Sequence, residues 1–476
     1  LVDDAKSVTE ITDPLHLLEY IHLELDRDKK KVGVEDDLEH GSMLGAQSNK
    51  DIGKTPPILF YRGDYRQKAM AIQYKNILES VKKTITPSDE FEEVVKNTVT
   101  EIDLALKKGK LDAHAGVGGS FAKKTHLRGD HDVDIFIRFA QKYKDANISD
   151  LFEKTLKGYK LERLHGSRDY FHLHRDGLQY EMVPVLAIKK PADAHNITDF
   201  SPWHVEWVKK NGKGINDDIR LAKKFCKANK CYGAESYIRG FSGHVLDILT
   251  IHYGGFIKLL AGAQKWKDKQ VIDHNDIHKG KALAQLNEAK TLSPLVLIDP
   301  VQPARNAASA LSEENFRRFI KAAGEFLKKP DMDFFIERAF NPDSIREEKN
   351  HVLVTVTPLE AKEDKAGAKI VQAYEQILRA LTPFGVNKSG WEWPGSGDGY
   401  LWFVLDMMEL SAFREQMGPP VKLEAHAIEF KRKYPQAVER KGRMYANVRN
   451  EIRTPHAVID TLRNYINERV KSYLVE

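Results

Sequence analysis

The sequence predicts an α+β protein of several domains, and three observations predict it. The chain of 476 residues is long enough for two to four domains. Its apolar content of 41% supplies an ordinary globular core. Its periodicity changes along the chain. A strand pattern at Asp132–Phe139 lies between helical patterns, a mainly helical stretch follows from Ser201, and strands alternate with helices beyond Met332.

Composition narrows the class. No run of about 18 apolar residues occurs, so no transmembrane helix and no membrane partner are expected. No signal-peptide pattern is visible, although the chain opens at Leu1 rather than at Met. Two cysteines, Cys226 and Cys231, in a Lys-rich stretch fit a reducing compartment, here the cytoplasm, better than a disulfide framework. A net charge of +5 permits a polyanionic partner without demanding one.

Residues 1–82 read as an N-terminal extension, partly disordered. A short helix is expected over 11–25, polar loop over 29–53 and a further helix over 61–82. His40-Gly41-Ser42-Met43 reads as a cloning remnant or an internal start. Thr86-Pro87-Ser88-Asp89 then opens a helix, with Pro at N1 and acids in the first turn. Its buried stripe is Phe91, Val94, Val95, Val99, Ile102 and Leu106.

The next stretch carries the chemistry. Gly118 and Gly119 allow close backbone approach, and Ser120 adds a hydroxyl beside exposed N–H groups, which suits phosphate oxygens. On the following strand Asp132 and Asp134 share one face while Val133, Ile135 and Ile137 share the other. Two carboxylates about 7 Å apart repel unless a cation lies between them, and Mg²⁺ takes such hard oxygen ligands. The plain alternative is a tight turn and a solvated strand face. Asp176-Gly177 marks a hairpin turn, and Gln179, Glu181 and Val183 share a face on its second strand.

The full run GSFAKKTHLRGDHDVDIF at 119–136 resembles the polymerase-β type nucleotidyltransferases, and the archaeal (class I) CCA-adding tRNA nucleotidyltransferases in particular. The strings YGAE at 232–235, RGFSG at 239–243 and DPVQPARNAA at 299–308 resemble the same family. The resemblance implies a nucleotidyltransferase head with a mixed sheet over 83–200, a helical central domain over 201–330 and a tRNA-binding α+β part over 331–476. It implies that Asp132, Asp134 and Glu181 are catalytic and hold two Mg²⁺ ions, although Glu181 stands where the family usually carries Asp. It also implies that Gly119, Ser120, Lys123, His204, Lys223, Tyr232 and Arg239 meet the incoming ATP or CTP. Arg305 is a candidate for RNA phosphate or domain contacts. Two further departures are Lys124 in place of a smaller residue and His126 in place of Trp. His165, His172, His174 and His204 match no structural zinc spacing and lack cysteine partners.

In the last part, strands are expected over 351–357 and 400–405 and a helix over 366–381. Lys431, Arg432, Lys433 and Tyr434 form a basic segment interleaved with aromatics, suited to RNA phosphate and stacking; the plain alternative is a solvated charged face. The expected activity is stepwise addition of C, C and A to the tRNA 3′ end without a nucleic-acid template, and a homodimer is compatible with it. The rivals are a relative making poly(A) or oligoadenylate and a catalytically dead RNA-binding protein. Retention of both Asp132 and Asp134 argues against the second.

Overall fold

The computed structural model describes residues 59–476, with side chains from Met70 onward apart from Ala192. The helix expected over 11–25, the loop over 29–53 and the His40–Met43 string lie outside the described residues. The fold divides into two compact units. One takes in the described chain up to Ala234 together with Ile238–Glu337, and the other takes in Glu235–Tyr237 with Arg338–Glu476.

The first unit opens with helix α1 (Leu59–Ile85) and helix α2 (Glu92–Lys108). Strands β1 (Ala113–Val117), β2 (Asp132–Phe139), β3 (Glu162–Leu164), β4 (Tyr170–Arg175) and β5 (Leu178–Leu186) form one sheet in the order β1-β2-β5-β4-β3. The sheet is mixed: β2 and β5 run parallel, and the other pairs run antiparallel. Helix α3 (Gly119–Lys123) links β1 to β2, and helix α4 (Ile148–Thr155) links β2 to β3. Strand alternation sends Val133, Ile135 and Ile137 into a core with Ile102 and Leu106 of α2 and Phe152 of α4. The β4–β5 hairpin turns at Asp176 (φ 53°) and Gly177 (φ 74°), the two left-handed positions a tight hairpin needs.

The helical part of this unit holds α5 (Ser201–Asn211), α6 (Asn216–Ala228), α7 (Gly243–Tyr253), α8 (Phe256–Ala263) and α9 (Glu313–Lys328). A pair of short parallel strands, β6 (Gln270–Ile272) and β7 (Leu295–Leu297), lies between α8 and α9. Phe225 of α6 centres the core, with rings of Phe256, Phe319, Phe326 and Phe335 around it at 5.6–6.0 Å. Tyr74, Leu78, Val81 and Ile85 of α1 are buried in that same core. The end of the stretch assigned to the extension is therefore packed interior. The apolar face of α1 has no solvent-stable alternative once α6 and α9 present theirs. No single described helix is long and apolar enough to cross a membrane.

The second unit carries β8 (His351–Pro358), α10 (Glu363–Leu381), β9 (Val386–Glu392) and β10 (Gly399–Leu405), so both strands and the helix expected here form. Next come β11 (Phe413–Pro420), α11 (Glu424–Lys433), β12 (Val438–Arg440), β13 (Arg443–Arg449), α12 (Pro455–Thr461) and β14 (Val470–Val475). The antiparallel sheet β14-β8-β10-β9 packs Val354, Leu401 and Phe403 against Ile370, Ala373 and Ile377 of α10. A second sheet, β11-β13-β12, packs Met444 and Ala446 against Ala427, Phe430 and Tyr434 at α11.

Candidate active site

The site starts from the parallel pairing of β2 with β5, which sets Asp134 directly opposite Glu181 and Asp132 opposite Gln179. Three carboxylates thus share one sheet face, the face that Phe136 and Val183 continue as apolar packing. Burial, then the negative charge of Glu181 with Asp132 behind it, pushes the Asp134 carboxyl up to about 6. Burial and then Asp132 also push Glu181 up. Lys123 acts on Asp134 in the opposite sense. The arrangement is an excess of negative charge in one partly buried corner, and hard oxygen donors in surplus are what a divalent cation relieves.

The turn before β2 is built against this corner. Gly118 N–H donates to the Asp134 carbonyl at 2.7 Å. Gly119 sits at φ +50°, and a Cβ there would run into the Asp134 carboxylate. A Cβ at Gly118 would meet the Phe136 ring. Ser120 follows on α3, and its carbonyl accepts from Thr125 N–H at 2.9 Å, which closes the turn. Lys124 takes the left-handed conformation, φ 57°, at the end of α3. Such a backbone favours glycine, and Lys124 carries its Cβ there all the same. His126 keeps the aromatic function expected of its position by lying flat on Phe121, ring centroids 3.8 Å apart.

Helix α6 holds the chain between α3 and β2. Asn216 Nδ2 donates to the Lys123 carbonyl at 2.7 Å, and Arg220 Nε to the His126 carbonyl at 3.0 Å. Lys223 Nζ donates to the Thr125 carbonyl and hydroxyl, both at 3.0 Å, and Lys227 Nζ to Asp130 Oδ1 at 3.2 Å. These four residues recur at helical spacing, so one face of α6 serves one loop. Arg128 N–H also donates to the Ile85 carbonyl at 2.7 Å, tying the loop to the end of α1.

Beyond the carboxylates lies a cationic row. Lys123 Nζ is 2.7 Å from Asp247 Oδ2, and Lys223 Nζ is 3.7 Å from Asp247 Oδ1. His204 Nε2 stands 3.0 Å from both carboxylate oxygens of Asp299. His244 Nε2 lies 3.5 Å from Asp299 Oδ2, and the two imidazole rings are 4.3 Å apart. Burial, opposed by the bond to Asp299, pushes His244 down to about 4. Arg305 Nη1 reaches the same Asp299 oxygen at 3.2 Å. Among the described residues, His204, His244 and Asp299 are a group with metal-like spacing. The Arg305 guanidinium on that carboxylate works against a second cation there.

The structure therefore brings Asp132, Asp134, Glu181, Gly119, Ser120 and Lys123 together, and gathers Lys223, His204 and Arg305 in the adjoining row. The Tyr232 ring lies under Lys227 Nζ, 5.4 Å from its centroid. Arg239 is exposed at φ 56°, its carbonyl accepting from Ser312 N–H at 2.9 Å. Lys431, Arg432 and Lys433 are exposed in the last turn of α11 in the second unit, and Tyr434 packs on Phe430. His165 pairs with Asp169 and His172 with Glu181.

Sequence reasoning missed Asp247, His244, Asp299 and the α6 stripe. A signal existed for the first two: they are ionisable residues in the largely apolar stretch Gly243–Ile251, and buried charges need partners. Nothing in the sequence says that Asn216, Arg220 and Lys227 serve a loop about 90 residues earlier.

Comparison with known proteins follows this geometry. Residues 99–231 match a family model described as a nucleotidyltransferase domain. Residues 217–336 match one described as tRNA nucleotidyltransferase, second domain. The chain is 38% identical over 347 residues to a CCA-adding enzyme of Nanoarchaeum equitans, covering 70% of this chain and 83% of that one. It is 30% identical over 374 residues to the CCA-adding enzyme of Methanosarcina mazei, covering 75% and 80%. It is 28% identical over 417 residues to that of Thermococcus kodakarensis, covering 83% and 90%. With that identity across most of its relatives' length, and with the carboxylate corner intact, the chain belongs to the family of archaeal CCA-adding enzymes.

Proposed function

We propose that this chain adds C, C and A in turn to the 3′ end of tRNA from CTP and ATP, releasing pyrophosphate at each step. The observation that carries the reading is the carboxylate corner, with Asp134 and Glu181 in register on neighbouring strands, Asp134 pushed up by burial and Glu181, and Glu181 by burial and Asp132. Asp132, Asp134 and Glu181 would hold two Mg²⁺ ions, which supply charge neutralisation for the triphosphate and a lowered pKa for the attacking ribose hydroxyl. Glu181 would take the hydroxyl proton. The 3′ oxygen bonds to the α-phosphorus, the bond from that phosphorus to the bridging oxygen breaks, and pyrophosphate leaves with the electron pair.

The remaining roles follow from charge and position. Ser120 and the Gly119 N–H receive terminal phosphates. Lys123 and Lys223 neutralise triphosphate oxygens. His204, Tyr232 and Arg239 border phosphate, sugar or base. Arg305 shares Asp299 with His204, which supports a contact close to the nucleotide or the RNA end. Lys431, Arg432, Lys433 and Tyr434 take the distant tRNA backbone.

The test is a product assay. A tRNA ending at its discriminator base, given all four nucleotides and Mg²⁺, should gain two C and one A and then stop. Sequenced ends read this directly, and Asp134→Asn should leave the ends unextended while tRNA binding persists. Long A tails, or equal use of UTP and GTP, would refute CCA addition and leave the nucleotidyltransferase assignment standing.

A further inference from the structure

The cationic row contains one carboxylate that no part of the proposed reaction uses. Asp247 lies in the apolar middle of α7, between Leu246 and Ile248, and its side chain is fully buried. One of its oxygens takes an ammonium, Lys123 Nζ, at 2.7 Å. Its other oxygen, Oδ1, faces Lys223 Nζ at 3.7 Å and has no hydrogen-bond partner among the described residues. The two lysines come from different elements, α3 beside the carboxylate corner and α6 beneath the loop. Without Asp247 two ammonium groups would be buried side by side, at 10% and 5% side-chain exposure, with no carboxylate between them. Burial already drives Lys223 down, and Asp247 is the largest influence holding it up. Other charges face the cluster as well: His244 from α7, Lys227 from α6 and Asp130 from the loop.

We propose that Asp247 is a positioning residue for nucleotide binding, the shared counter-ion that holds Lys123 and Lys223 where the triphosphate arrives. This rests on the reading that the two lysines meet the triphosphate. A carboxylate holding two ammonium groups at a fixed spacing keeps their order in place before the nucleotide binds, so less is lost on binding. Thr125 takes two of the three donors of the Lys223 ammonium, which leaves one to spare.

The test is steady-state kinetics with ATP and CTP on tRNA lacking its 3′ end. Asp247→Asn should raise KM for both nucleotides about tenfold or more, the size of one lost charge-assisted contact, with kcat falling less. Affinity for tRNA should not change. Asp247→Glu, which restores the charge, should recover most of the loss. Asp247→Asn should also cost less in a Lys123→Gln background than in the wild type, because part of its action runs through Lys123. If Asp247→Asn does not fold, the Lys123→Gln/Asp247→Asn double variant removes one charge of each sign. It is then read against Lys123→Gln alone, with a smaller than tenfold difference expected. An unchanged or lowered KM in Asp247→Asn, a loss that Asp247→Glu does not recover, or strict additivity with Lys123→Gln would overturn the proposal. If Lys123→Gln and Lys223→Gln themselves leave KM unchanged, the reading of the lysines fails instead, and the two failures are distinguishable.

Discussion

At Gly119 the backbone stands at φ +50°, and the space a Cβ would need is held by the Asp134 carboxylate. Gly119→Ala should therefore displace Asp134 as well as strain the turn. A misplacement of about 1 Å at the reacting centre can reduce rate roughly a hundredfold, so kcat should fall about that far while circular dichroism stays native. A kcat within twofold of the wild type would show that the turn can yield. His126 supports a second expectation. Burial, followed by the nearby Arg220 charge, pushes it down to about 4 from an ordinary 6.5. The unfolded chain then takes a proton first, so stability is complete above about pH 6.5 and declines as pH falls toward 4. His126→Phe keeps the stack on Phe121 without the titration. Its melting temperature should fall less steeply over that window, and parallel melting curves would disprove the assignment.

At the scale of elements, α1 shows why the N-terminal boundary was hard to read. Its apolar residues Tyr74, Leu78, Val81 and Ile85 have helical spacing, but the sequence does not say what they pack on. The fold puts them against α6 and α9, and the loop to β2 is bonded to the α1 terminus through Arg128. Tyr74→Ala should cost about 3–5 kcal/mol, the range for large aromatic truncations in a core, read by chemical denaturation. Removing residues 1–82 should lower the melting temperature as well as activity. A truncated protein as stable as the full chain would show that α1 is dispensable. Helix α6 gives the complementary lesson. Ile219, Ala222, Phe225 and Cys226 were legible as its buried stripe, and all four are buried. Its second working face, Asn216, Arg220, Lys223 and Lys227, reads in sequence as ordinary solvated charge. Only the chain folding back over it turns those residues into a cradle.

At the scale of the molecule, the proposed chemistry and the proposed RNA contact draw on different units. The carboxylate corner belongs to the first unit, and the basic turn Lys431–Lys433 belongs to the second. The three lysine and arginine side chains of that turn are exposed. Lys431→Ala with Arg432→Ala should weaken tRNA binding without regard to tRNA sequence. It should also remove up to roughly 1.8 from the salt slope, about 0.9 for each lost phosphate contact. Filter binding across a salt series measures this, and an unchanged slope would return the turn to a solvated face. The nucleotide KM should stay put, since the residues proposed to meet the nucleotide lie in the first unit.

The sequence by itself determined the family, the two strand aspartates, the glycine turn and the hairpin that presents Glu181, because these are local: fixed spacing on one strand, one turn, one hairpin. Periodicity likewise gave β8, α10 and β10 close to their observed ends, while α2 begins at Glu92, after a short turn at Asp89–Phe91, and not at Pro87. Tertiary structure decided what depends on pairing between distant segments. It was the parallel register of β2 with β5 that set Asp134 against Glu181, since a shift of one residue would have turned Glu181 to the opposite face. It was burial that paired Lys123 with Asp247 across 124 residues of chain and His204 with Asp299 across 95, and that set Lys223 beside the same Asp247. A charge has no periodicity of its own, and its partner is fixed only by where the fold removes it from water.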